Sequence, residues 1–164
     1  MCYTSDMMEG MELIGVIVLK DALRIGDPCF DLDVWCAGQV CLRRGKYECF
    51  IGYTPDRKGV RALGMQLQGS SQLPTQTAPF VIGVDSGQCG FYDLQYYCRM
   101  RQNENYPSWY SRVIELTQEP ERMGGILDGC ALVSRSGGGD GTASFRYAAD
   151  EFGCCTALLL EFEV

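Results

Sequence analysis

The order of short apolar runs and glycine-centred turns restricts this chain's fold more than any other feature. Stretches at 11–19, 22–25, 47–53, 60–68 and 80–84 are rich in Val, Ile, Leu and aromatic residues, and turn clusters such as Gly26-Asp27-Pro28 and Thr54-Pro55-Asp56-Arg57-Lys58-Gly59 separate them. Runs of that length, bounded by Gly, Pro and Asp, read as strands. The 11–19 run reads as a buried strand, 47–53 with 60–68 as a long-looped hairpin, and 125–133 as a strand broken by Asp128-Gly129. A final hairpin joins 144–148 to 156–162, where Leu158, Leu159 and Leu160 are too continuously apolar for an edge in water. At 107–118, Trp109, Tyr110, Val113, Ile114 and Leu116 fall near one helical face behind Pro107, which suits a first turn. The expected fold is mainly β: a single-domain β-sandwich or open barrel with one short helix at about 107–118. Residues 11–164 form that β-rich domain, and 1–10 are expected to be a loose leader.

A chain of 164 residues with 46% hydrophobic and 21% charged residues sits near the globular average. Its longest apolar stretch, 13–19, is far short of the roughly 20 residues that span a bilayer, and acids, not a basic segment, precede it. A cytoplasmic protein without membrane contact is the expectation. The net charge of -7 gathers in 113–164, where nine acids face Arg122, Arg135 and Arg146. Such a field repels phosphate backbones and attracts basic protein surfaces, so direct nucleic-acid binding is disfavoured. Moderate acidity also serves solubility.

Of the ten cysteines, Cys36, Cys41, Cys49, Cys89, Cys98 and Cys130 are set among apolar or aromatic neighbours, no C-x-x-C pair occurs, and the chain contains no histidine. Reduced, core-packing thiols are expected, and a structural zinc site is not. The absence of histidine removes Ser-His and Cys-His nucleophile systems and the commonest general base. Any catalysis would rest on carboxylates, tyrosines, lysines or an unassisted thiolate. No cofactor motif is present, and neither a phosphate-loop pattern nor an EF-hand spacing occurs.

Three turns combine glycine with aspartate: Gly26-Asp27-Pro28, Gly83-Val84-Asp85-Ser86-Gly87 and Ser136-Gly137-Gly138-Gly139-Asp140-Gly141. The ordinary role of such residues is to make the turn itself, the carboxylate accepting nearby backbone N–H groups. Two further roles are chemically open. Successive N–H groups can form a nest for an anion, and Asp27, Asp85, Asp93 and Asp140 can supply oxygens to a hard cation.

The string Gly83-Val84-Asp85-Ser86-Gly87-Gln88-Cys89-Gly90-Phe91-Tyr92-Asp93, taken with Gly26-Asp27-Pro28 and Ser136 to Gly141, resembles an uncharacterised bacterial and phage family of unknown function. Its members pair a G-V-D-[SA]-G-x-x-G-x-x-D segment with a terminal S-G-x-G-D-G and a closing strand. The resemblance runs in order over 22–164. It departs at Gly138, where an aromatic is usual, and at Thr142-Ala143-Ser144-Phe145, where a tyrosine-containing strand is usual. It implies relatedness and element order but no mechanism.

Phe91, Tyr92, Tyr96, Tyr97, Tyr106, Trp109 and Tyr110 are dense enough to form either a core or a recognition wall, and Arg99 and Arg101 stand near them. A ligand-binding site is therefore expected where the glycine turns meet these aromatics: Asp85, Ser86, Gly87, Tyr92, Asp93, Arg99, Trp109, Ser136 and Asp140. The leading functional expectation is a non-enzymatic binding protein that inhibits a protein partner or sequesters a small anionic ligand, as immunity and phage anti-defence proteins do. The alternative is a carboxylate-based, metal-assisted hydrolase using Asp85, Asp93 and Asp140.

Overall fold

The computed structural model describes residues 8–163, and two antiparallel sheets face each other in it. Sheet one has the order β1 (Glu12–Leu19), β4 (Gly45–Tyr53), β5 (Val60–Leu67), β12 (Cys155–Phe162), β11 (Gly141–Ala149), and β11 also pairs the short β6 (Gln76–Thr77) and β7 (Ile82–Val84). Sheet two runs β3 (Gly38–Cys41), β2 (Ala22–Gly26), β8 (Gln88–Asp93), β10 (Ala131–Arg135), β9 (Gly124–Leu127). The sheets do not close into a barrel, so the sandwich is the form adopted. The expected hairpins are present as β4–β5 and β11–β12.

Three apolar layers explain the continuous hydrophobic runs. Ile25, Ile51, Leu63, Phe91, Leu158 and Leu160 fill the space between the sheets. Tyr92, Tyr96, Tyr97, Trp109 and Val133 form a second layer under the helices, outside sheet two. Met8, Phe50, Ala62 and Leu159 make a third outside sheet one. Alternation along a strand sends successive side chains to opposite faces. Leu159 therefore leaves the central core that Leu158 and Leu160 occupy, yet is still buried.

The structure corrects several local expectations. A second helix exists: α1 (Leu94–Met100) precedes α2 (Tyr106–Gln118), its first turn capped by the Asp93 carboxylate, which accepts the Tyr96 N–H at 2.9 Å. Strand β1 is buried on one side only: it is terminal in its sheet, with Ile17 and Leu19 in the core and Leu13, Val16 and Val18 exposed by 54%, 45% and 58%. The 124–133 segment is a hairpin of β9 and β10, because Asp128 and Gly129 both take positive φ (54° and 64°) and reverse the chain. Of the expected loose leader, 1–7 lie outside the described residues, and Met8 is buried, not loose. No described helix is long and apolar enough to cross a membrane.

Candidate functional site

The three glycine-aspartate turns come together at one end of the sandwich, and Asp27 joins two of them. Its fully buried carboxylate accepts the N–H groups of Asp85 (2.8 Å) and Ser86 (2.7 Å) on Oδ2, and the Ser86 hydroxyl (2.8 Å) and Cys29 N–H (2.7 Å) on Oδ1. The backbone nest expected at the 83–87 turn does form, and the anion it holds is the chain's own. The third turn docks on the second through the Ser136 N–H, which donates to the Gly87 carbonyl at 3.0 Å. Gly137 has φ 47° and sits so close to the Glu163 carbonyl that a Cβ would collide with it, so only glycine serves there. The Ser136 hydroxyl closes the turn on the Gly139 carbonyl at 2.8 Å.

Beside this junction lies a cavity of about 420 Å³ whose lining includes Phe30, Trp35, Val81, Asp85, Asp140 and Thr142. The 27–37 loop that brings Trp35 there is tied to β7 by the Gly83 N–H donating to the Cys36 carbonyl at 2.8 Å. Trp35 is 81% exposed and Val81 50% exposed, so two apolar side chains of the lining meet solvent. Asp85 and Asp140 are exposed and make no ion pair among the described residues. The lining contains no Lys or Arg.

The expected site residues divide into two groups. Asp85 and Asp140 line the cavity, and Ser86, Gly87 and Ser136 build the turns behind it. Tyr92 and Trp109 are core residues, 0% and 1% exposed, and not the recognition wall expected of them. The Tyr92 hydroxyl donates to the Gly26 carbonyl (3.2 Å), and the Trp109 indole N–H to the Tyr96 hydroxyl (2.9 Å). Their rings pack edge-on with centroids 6.1 Å apart. Asp93 is at the opposite end of β8, engaged with α1, and Arg99 is exposed on that helix. Among the described residues no three His, Cys, Asp or Glu side chains gather where they could hold a metal ion. Trp35 is not singled out by the sequence, and Asp27 reads there as a turn residue or cation ligand, not as the acceptor that joins two turns. Their signal was faint: an isolated aromatic in an acidic loop, and one Asp-Pro turn among several.

Burial governs the titrating groups around the junction. It pushes the Cys89 thiol and the Tyr92 phenol well above their ordinary values, with the Asp27 carboxylate adding to both, so neither ionises near neutral pH. Tyr106, stacked on Tyr110, is pushed up to about 12 by burial and by its hydrogen bond with Cys29. Among the described residues the charges lining the cavity are the carboxylates of Asp85 and Asp140.

In comparisons with protein-family models, curated proteins and solved structures, nothing matches this chain.

Proposed function

We propose that this chain is a non-enzymatic cytoplasmic binding protein that holds a basic segment of a protein partner in the Trp35 cavity. The observation that carries this reading is the composition of the wall: an exposed indole and Val81 beside two unpaired carboxylates, with no cation. An indole face and a carboxylate together accept the stem and the charged head of Arg or Lys. The net charge of -7 steers a basic partner towards it and opposes a small anion. Inhibition of such a partner, in the manner of an immunity or anti-defence protein, is the biological form this takes. We further propose that the resemblance to the bacterial and phage family reflects the same three-turn junction.

A carboxylate-based hydrolase is the second reading, favoured by the presence of Asp85 and Asp140 in one cavity. Its third acid, Asp93, is placed elsewhere. Titration with an arginine-rich peptide, followed by calorimetry, tests the proposal. Binding is expected, with Trp35→Ala losing about 2 kcal/mol or more, as interface aromatics do. Asp85→Asn and Asp140→Asn each lose about 1 kcal/mol, roughly fivefold. Affinity unchanged in all three folded variants overturns it.

A further inference from the structure

Among the described residues one isolated backbone bridge joins the two sheets, where the end of β3 meets the start of β12. Leu42 lies opposite Cys155 in a parallel bridge, and the Arg43 N–H donates to the Cys155 carbonyl at 3.0 Å. Both bridged side chains enter the core, with 4% and 3% exposure. Because extended backbone alternates its side chains, the preceding residue on each segment, Cys41 and Cys154, turns the other way. Cys41 is exposed and Cys154 half-buried, as that alternation requires.

Paired neighbouring chains lie about 5 Å apart, so the residues one step before the isolated Leu42–Cys155 bridge start from a separation near that value. That spacing falls within the roughly 4.4–6.8 Å Cα separation a disulfide accepts. Both backbones are fixed independently. Cys41 pairs with Ala22 in the β2–β3 ladder, and Cys154 donates its N–H to the Asp150 carboxylate (3.0 Å) while its carbonyl accepts the Asp150 N–H (2.8 Å). Cys154 also faces a cavity of about 470 Å³, lined by Lys20, Arg43 and Arg44 and by Asp21, Asp150 and Glu151, which leaves its sulfur reachable from solvent.

We propose that Cys41 and Cys154 are a redox modification site, forming a reversible disulfide when the protein meets a peroxide. The Cys41 thiolate, the more exposed, attacks a peroxide oxygen. The O–O bond breaks, the leaving hydroxide takes a proton to become water, and Cys41 is left as a sulfenic acid. The Cys154 thiolate then attacks that sulfur, the S–O bond breaks, and hydroxide leaves with the second thiol proton as water. Two thiols and one hydrogen peroxide thus give one disulfide and two waters. Cys155 is buried beneath the pair and takes no part. The bond ties sheet two to sheet one at their shared corner, so oxidation raises the thermal midpoint and dithiothreitol reverses the rise.

The test is mass mapping of the intact chain after hydrogen peroxide treatment, with Cys155→Ser, Cys41→Ser and Cys154→Ser alongside. Wild type and Cys155→Ser are expected to lose the mass of two hydrogens, with fragments linking Cys41 to Cys154. Cys41→Ser and Cys154→Ser, both surface changes, are expected to form no such link and show no rise in midpoint. A link that persists in Cys154→Ser, or oxidation of wild type that stops at unlinked sulfenic or sulfinic acid on Cys41, overturns the proposal.

Discussion

Replacing Asp27 with alanine removes the acceptor for three backbone N–H groups, those of Cys29, Asp85 and Ser86, and for the Ser86 hydroxyl. Asp27 is 0% exposed, so these donors lose a charged partner in a place water reaches poorly. Each buried donor left unsatisfied costs about 1–3 kcal/mol. The desolvation cost of the vanished carboxylate offsets part of the sum, and a water entering the vacated volume offsets more. A net loss of about 3–5 kcal/mol is expected, large against a typical total of about 5–15 kcal/mol. Asp27→Asn keeps the shape but points an NH₂ at donors, and about half that loss is expected. Urea unfolding followed by circular dichroism measures both, with an unchanged slope confirming that only stability moved. Amide exchange supplies the local readout, since Asp85 and Ser86 should lose protection ahead of the β4–β5 hairpin. A loss below about 1 kcal/mol in Asp27→Ala, with both amides still protected, would refute the view that this carboxylate holds the turns together.

The two tryptophans should behave oppositely. Trp109→Ala is expected to cost about 3–5 kcal/mol by urea unfolding, whereas Trp35→Ala changes stability by no more than about 0.5 kcal/mol. Burial raises the Asp128 carboxyl, but hydrogen bonds from Arg112 and Tyr96 outweigh it and hold the group below its ordinary value near 3.8. Its contribution is therefore present above the unfolded value and lost as pH falls through the lower folded one. Unfolding midpoints of wild type and Asp128→Asn should converge as the solution is taken from neutral pH to about pH 3. Burial pushes the thiols of Cys49 and Cys155 up to about 12, so in the folded protein a thiol reagent at mildly alkaline pH should label exposed Cys41 first among the described cysteines and leave those two untouched until unfolding.

The periodic and terminal features of the fold could be read from the sequence. The β4–β5 and β11–β12 hairpins follow from apolar runs flanking turn residues, and α2 from its apolar stripe and Pro107. The seven residues of α1 were too few to show a helical period among so many aromatics. Asp128-Gly129 is a strong hairpin signal, yet a break and a reversal look alike until pairing is known. An edge strand such as β1 can carry as many apolar side chains as a central one, so composition did not reveal its exposure. At the candidate site, the three turns were visible but their convergence was not. Asp27 reaches Ser86 across 59 positions, and no local pattern encodes that contact. The aromatic density at 92–110 belonged to the layer beneath the helices, while the exposed ring came from a loop without period.

The central claim, that a basic partner segment occupies the Trp35 cavity, is tested most directly by amide and indole NMR shifts on adding an arginine-rich peptide. The two indole N–H signals report separately, one from a residue 81% exposed and one from a residue 1% exposed. The Trp35 indole and the backbone of 83–87 and 138–142 should shift together and saturate at one affinity, with Trp109 and the β1–β4 ladder unmoved. Shifts confined to another surface, such as the Arg43–Phe152 cavity, or none at all, would contradict it.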